Sequence, residues 1–326
     1  MERSWTRIQS KVKTGRNVGI NAALFSAFFL GLAPIFGKQA IQLGLHPLAV
    51  VAIRTLLATL LLFAMMAIFQ RQYLYIYPAG LIGCLLAGWI NGVGSLFYYN
   101  ALSLIDAGIG QLLYSLYPIF VAVWMFFDKQ PPSKLTLFRL VVALPAIYLL
   151  IQANGNAPST LGVIQMLIAA ALYALHLPIN QRVLYDIPPQ TVTLYTLLAM
   201  SSVVVPTFLF SGATSSIPEA LTFVWPLLGL TLVTFLSRLT LFTGVKLLGG
   251  MQTALLGLSE LLITIALAIW WLGETFSTSQ IIGGVLLGFS LVLIGLEKPP
   301  SAKERKGGWF SWLTARSTDI SIHPGE

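Results

Sequence analysis

Charge is what this sequence has least of. Only 9% of its 326 residues are Asp, Glu, Lys or Arg, against about 25% in an ordinary globular domain. A water-soluble chain of this length could not cover its surface with so few charges. Cysteine is almost missing: Cys84 stands alone, which excludes an intrachain disulfide, and its apolar surroundings suit a packed thiol. His46, His176 and His323 lie far apart and no His/Cys cluster has metal-ligand spacing, so no metal or other cofactor is expected. With four aspartates, no HExxH and no Walker phosphate loop, the chain offers little to a catalytic dyad or to ATP-driven work, and it is not expected to be an enzyme. Rings of like charge and repeated filter loops, which would favour a channel, are also missing. The net charge of +8 does not point to nucleic acid, because the basic residues flank hydrophobic runs instead of forming one stripe.

Hydrophobic residues make up 56% of the chain, and the mean hydropathy is +0.82. They fall in runs of about 20 residues, the hydrocarbon thickness of a bilayer. The expected fold is an all-α integral membrane protein of ten transmembrane helices. The spans cover about 18–40, 47–69, 78–100, 107–127, 135–152, 160–181, 189–210, 223–244, 251–272 and 276–296. Residues 1–17 form a basic N-terminal segment and 297–326 a C-terminal tail. The first run follows basic residues as a signal peptide would, but its length and the runs after it make it a retained span. The breaks carry turn chemistry at Gly44 to Pro47, Gln130 to Ser133, Asn154 to Ser159, Pro188-Pro189 and Gly212 to Pro218.

An even number of spans puts both termini on one side. Arg3, Arg7, Lys11, Lys13 and Arg16 lie before the first span, and Lys298, Lys303, Arg305, Lys306 and Arg316 after the last. Loops on that side hold Arg71, Lys129, Lys134, Arg182 and Lys246. The other side offers mainly Lys38, with Asp106, Glu219 and Glu274. The positive-inside rule then places both termini in the cytoplasm, with the chain in the inner membrane. Trp5, Ile8 and Val12, beside the N-terminal cations, read as a short interfacial helix on anionic lipid. Trp309, Phe310 and Trp312 in the tail address the same surface.

The two halves, 18–152 and 160–296, resemble each other. Pro34-Ile35-Phe36-Gly37-Lys38 matches Pro178-Ile179-Asn180-Gln181-Arg182, each near the end of its half's first span. Ala101 to Leu104 answers Val245 to Leu248 at nearly the same spacing. Five spans per half is an odd number, so the second copy is inverted, a construction that secondary transporters use with the site near the midplane.

At these residues the chain resembles the drug/metabolite transporter superfamily, in particular its EamA-type family. Gly250-Met251-Gln252-Thr253-Ala254, then Leu258-Ser259-Glu260, then Trp271-Leu272-Gly273-Glu274 resembles the family's ninth span. Ala107 to Gly110 with Tyr117 to Phe120 resembles the matching fourth. Asp128-Lys129 stands where the family often has Gly-Glu, and Leu261 replaces the usual proline after Glu260. Arg54 matches a frequent second-span arginine. The resemblance covers about residues 18–296. It implies transport of a small molecule, export more than uptake, and leaves the cargo open among amino acids, sugars, nucleotide-sugars and drugs.

Ionisable residues inside a membrane cost about 2.5–3.5 kcal/mol each on insertion scales and mark candidate sites. Glu260 lies ~13 Å and Arg238 ~10 Å from the cytoplasmic ends of adjacent spans. Two readings stand open: a structural ion pair between them, or a gate or proton-carrying carboxylate. Arg54, ~10 Å below the outer surface, either snorkels to outer headgroups or docks a substrate carboxylate or phosphate. Asn91, Gln111, Tyr114, Tyr117, Tyr173, His176 and Asn180 add polar handles, as do Tyr98 and Tyr99 at the end of span three. Tyr98 and Tyr99 also suit an interfacial aromatic belt, and a buried His also suits plain packing. Gly88 to Gly92 and Gly284 to Gly288 are small-xxx-small patterns for close helix approach. Pro34, Pro118 and Pro178 are expected to kink spans one, four and six. The expected partners are a small-molecule substrate and membrane lipid, with no nucleic acid; oligomeric state is open.

Overall fold

A computed structural model of the chain describes residues 2–105, 107–129, 132–151, 159–213 and 221–272, with isolated positions from 278 onward. Asp106, Glu219, Gly273-Glu274, the tail beyond Trp309 and most of the tenth span, with Gly284 and Gly288, lie outside the described residues. Eleven α-helices run along the described chain. They are α1 (Glu2–Gln42), α2 (Pro47–Phe69), α3 (Pro78–Leu104), α4 (Ala107–Tyr114), α5 (Tyr117–Phe127), α6 (Lys134–Ile151), α7 (Thr160–Leu184), α8 (Pro189–Phe210), α9 (Val224–Leu248), α10 (Gly250–Gly257) and α11 (Ser259–Leu272). Prolines at the first turn of α2, α3 and α8 start those helices where a missing N–H costs nothing. His46 caps α2, its Nδ1 accepting from the Leu48 amide at 3.2 Å. Gly249, at φ 91°, turns the chain between α9 and α10.

Among the described residues, six helices are long and apolar enough to cross a membrane: Gly15–Gln42, Pro47–Phe69, Pro78–Leu104, Thr160–Leu184, Pro189–Phe210 and Leu221–Leu248. The burial pattern is that of a protein in lipid. Leu60, Phe63, Phe126 and Trp270 are exposed, while Arg54, Asn91, Arg139, His176, Arg182, Arg238 and Glu260 are buried. Water would drive the opposite arrangement. Hydroxyls within the helices are answered internally: Thr55, Thr59, Thr231 and Thr243 each donate to the carbonyl four residues back.

Two expectations need correction. The N-terminal segment is no separate interfacial helix, because α1 continues through it from Glu2 to Gln42. Spans four and nine are not single helices: each is two, α4 then α5 and α10 then α11. Pro34 and Pro178 lie inside α1 and α7, the first helix of each half.

The halves interleave. α1 packs chiefly on α9 and α11, α2 on α8 and α9, and α3 on α7 and α8, so the broad interfaces cross from one half to the other. Small residues permit the closest crossings. A Cβ on Gly88 of α3 would stand 2.5 Å from the Thr196 carbonyl oxygen and from the Ala199 Cβ on α8.

Candidate functional site

The break in span four begins with Pro118. It has no N–H, so the Tyr114 carbonyl loses its helical donor. The chain tightens instead: the Leu116 amide bonds to Leu113 O at 3.3 Å and the Ile119 amide to Leu116 O at 3.0 Å. Pro118 then falls in the first turn of α5, so the expected kink is a full break. Span nine breaks the same way without a proline. The Leu258 amide bonds to Leu255 O at 3.3 Å and the Leu261 amide to Leu258 O at 3.2 Å.

The breaks are joined to each other. The Leu258 amide passes over Ala254, and the Ala254 carbonyl takes a hydrogen bond from the Tyr117 hydroxyl at 2.8 Å. Gln111 Nε2 in turn donates to Glu260 Oε1 at 2.9 Å. Tyr117 and Glu260 stand as far apart in the chain as Gln111 and Ala254 do. The two contacts are therefore counterparts, each running from the second piece of one broken span to the first piece of the other.

Beside this crossing lies a small, partly open cavity lined mainly by polar and aromatic side chains. Nine of the twelve candidate residues line it: Arg54, Asn91, Tyr98, Tyr99, Gln111, Tyr114, Tyr173, Arg238 and Glu260. Tyr117, His176 and Asn180 do not. Tyr117 holds the crossing, and Asn180 Oδ1 accepts from Thr196 at 3.3 Å. His176, fully buried, sits behind Arg238, with Nε2 at 3.5 Å from Nη1 and Nδ1 against the Tyr173 carbonyl. Ser95, Gly94, Ala169, Leu30 and Ala33 complete the lining and carry no signal that sets them apart in an apolar sequence.

Arg238 and Glu260 do not form the ion pair that equal depth suggested. Glu260 faces α4 and bonds to Gln111. Arg238 faces α3 and α7: with the Asn91 amide oxygen turned toward it, that oxygen accepts from Nη1 at 3.3 Å and Nη2 at 3.1 Å. Arg238 also lies 5.5 Å from the Tyr173 ring centroid. Arg54 does not snorkel. It is 5% exposed, donates from Nη1 to Thr234 Oγ1 at 2.9 Å, and lies 4.7 Å over the Tyr99 ring. Tyr98 and Tyr99 are buried and face the cavity, away from any interfacial belt; Tyr98 Oη donates to Gln111 Oε1 at 3.4 Å.

At the end of the bundle that carries the basic loops, the helices are pinned together. Arg182 Nε meets Asp128 Oδ2 at 2.9 Å, with both side chains at 0–1% exposure. Gln181 Oε1 accepts from the Gly250 amide at 2.6 Å, Arg139 Nη1 donates to Gln252 Oε1 at 3.2 Å, and Lys246 Nζ to Ile187 O at 3.0 Å. Asp128 and Arg182 read in the sequence as loop charges; the structure joins them as a buried pair between α5 and α7. Trp309 of the tail stacks on Phe127 at 5.4 Å. Among the described residues, no group of three or more His, Cys, Asp or Glu side chains converges as metal ligands.

Comparison with known proteins gives one consistent result. A family model described as the EamA-like transporter family matches residues 17–152 and again 160–296. An uncharacterized transporter of Synechocystis sp. is 27% identical over 225 residues, 67% of this chain and 66% of that protein. An uncharacterized transporter of Archaeoglobus fulgidus is 25% identical over 191 residues, 58% of this chain and 67% of its own length. The chain thus spans about two thirds of the length of these relatives. One crystal structure aligns with a TM-score of 0.69, covering 87% of this chain and 97% of that one at 14% identity, which shows a shared fold.

Proposed function

On the premise that the chain belongs to the EamA-like transporter family, we propose that it is a secondary transporter of a small metabolite, an amino acid or a related polar or amphipathic compound. In this reading ten crossings form two inverted five-helix repeats in the cytoplasmic membrane, with both termini in the cytoplasm. The cargo sits in the cavity beside the crossed broken spans and leaves the cell by alternating access. The observation that carries the proposal is the convergence of polar residues from α2, α3, α4, α7, α9 and α11 on one cavity within an apolar bundle. Polar groups are expensive there, and structure alone needs them paired, not gathered around a void. Broken helices that cross at a site are a construction of secondary transporters. The pins between α5, α7, α9 and α10 lie on the side with the basic loops; in this reading that is the cytoplasmic side, and they are the contacts that hold it shut.

The test is a thermal-shift screen of the purified full-length protein against a metabolite library. A cargo bound to the folded state raises the melting temperature with its concentration. Ala33→Trp blocks the cavity and should abolish the shift; overpacking should lower the melting temperature of the unliganded variant by a few degrees, and a single cooperative transition shows that it still folds. A ligand whose shift survives Ala33→Trp would place the binding site elsewhere.

A further inference from the structure

The charges around the cavity do not balance. Two guanidiniums, Arg54 and Arg238, and one carboxylate, Glu260, line it. Neither guanidinium is paired with an acid. Arg238 has the Asn91 amide, the His176 ring and the Tyr173 face. Arg54 has one hydroxyl and one ring, and its Nε is buried without an acceptor. A guanidinium offers five donors, so Arg54 is far from saturated, and the partners of Arg238 are all neutral. Elsewhere the chain does pair a buried arginine: Arg182 meets Asp128. The same sequence thus matches the cation that pins the bundle and leaves the cavity cations with neutral partners.

The two cavity cations also address one place. Arg54 bonds to Thr234, one turn before Arg238 on α9, so both arginines are anchored to neighbouring turns of one helix. Glu260 is held by Gln111 of α4, with no ion pair to either arginine. Each cation lies over a tyrosine ring, Arg54 over Tyr99 and Arg238 over Tyr173, and the cavity-lining tyrosines present flat apolar surface.

We propose that the cargo carries an oxyanion, a carboxylate or phosphate, that docks on Arg54 and Arg238 with a flat apolar body against the tyrosines. The guanidinium fork matches either oxyanion with two parallel hydrogen bonds. The inference rests on the cavity being the cargo site, and it narrows the cargo by charge: cationic amphiphiles are disfavoured.

The experiment compares four small probes on the purified full-length protein in uncharged detergent: phenylacetate, phenyl phosphate, phenylacetamide and phenethylamine. Binding is read by calorimetry. At least one anion should bind about tenfold or more tightly than the amide, the amine should bind weakest, and Arg54→Gln should erase the preference. Arg54→Lys keeps the charge without the fork, so the preference falls but remains; it carries the test if the Gln variant does not fold. Equal or tighter binding of the amide or amine, a preference unchanged in Arg54→Gln, or no binding by either anion overturns the proposal. Ala33→Trp separates the two readings. Binding that persists in Ala33→Trp removes the cavity as the site, whereas binding that is lost there but ignores charge removes only the oxyanion. Adding phosphatidylglycerol vesicles tests the other source of phosphate: loss of anion binding assigns the dock to a lipid headgroup and overturns the cargo assignment.

Discussion

Consider Arg182→Gln. The wild-type side chain is fully buried and holds Asp128, itself 1% exposed, through Nε at 2.9 Å, with Nη2 reaching the Asp128 carbonyl at 3.3 Å. Removing the arginine leaves a carboxylate desolvated between α5 and α7. Breaking one side of a buried pair costs about 3–5 kcal/mol, while replacing both members is often nearly neutral. For a soluble chain of 326 residues, unfolding entropy is about 0.7 kcal/mol per kelvin, so the loss corresponds to about 4–7 °C. Helices that persist in the micelle gain less entropy on melting, so the shift here should be at least that large. Asp128→Asn with Arg182→Gln should recover most of it. The assay is the melting temperature of four purified proteins: wild type, each single variant and the pair. If Arg182→Gln melts like wild type, or the double variant melts no higher than the single, then the pair is not desolvated as described and does not pin α5 to α7.

Gly257→Ala should destabilise by about 1–3 kcal/mol, the cost of overpacking, because its Cβ would run into the Tyr117 hydroxyl; Tyr117→Phe in the same chain should recover part of the melting temperature, and no recovery would mean the clash is elsewhere. Glu260→Gln should fold normally without any change at Arg238, since Gln111 and not Arg238 is its partner; a melting loss cured by Arg238→Gln would restore the ion-pair reading. If Glu260 carries the coupling proton, transport by that variant should lose its pH dependence while ligand exchange continues. A reporter fused after Glu326 should read as cytoplasmic, and a periplasmic signal would reverse the orientation taken from the Lys and Arg loops.

The helices were legible because their signal is long: runs of apolar residues near bilayer length, punctuated by Pro47, Pro78 and Pro189 at helix starts. Residues that face the cavity were legible as a class, since polar side chains stand out in an apolar run. What each one touches was not. Depth along a span fixes height but not azimuth, so Arg238 and Glu260 fell at one level yet point to different neighbours. Pro118 announced a disturbance in span four, whereas Leu261 gives no such sign, and the matching break at Leu258 rests on backbone hydrogen bonds that no residue type advertises. The Asp128–Arg182 pair was hidden because turn positions carry charges for solubility far more often than for burial.

The interleaving of the halves has a consequence for biosynthesis. A ribosome adds about 5–20 residues per second, so the second half is completed roughly 7–30 s after the first. During that interval α1, α2 and α3 stand in the bilayer without the helices on which they chiefly pack. Arg54 waits for Thr234, and Asn91 waits for Arg238. The nascent first half therefore lacks the hydrogen-bond partners that the second half supplies to Arg54 and Asn91, and Arg54 keeps only the Tyr99 ring. Its survival should depend on insertion machinery that shelters polar helices until α7, α8 and α9 arrive, and slowing translation near residue 160 should expose it to membrane proteases.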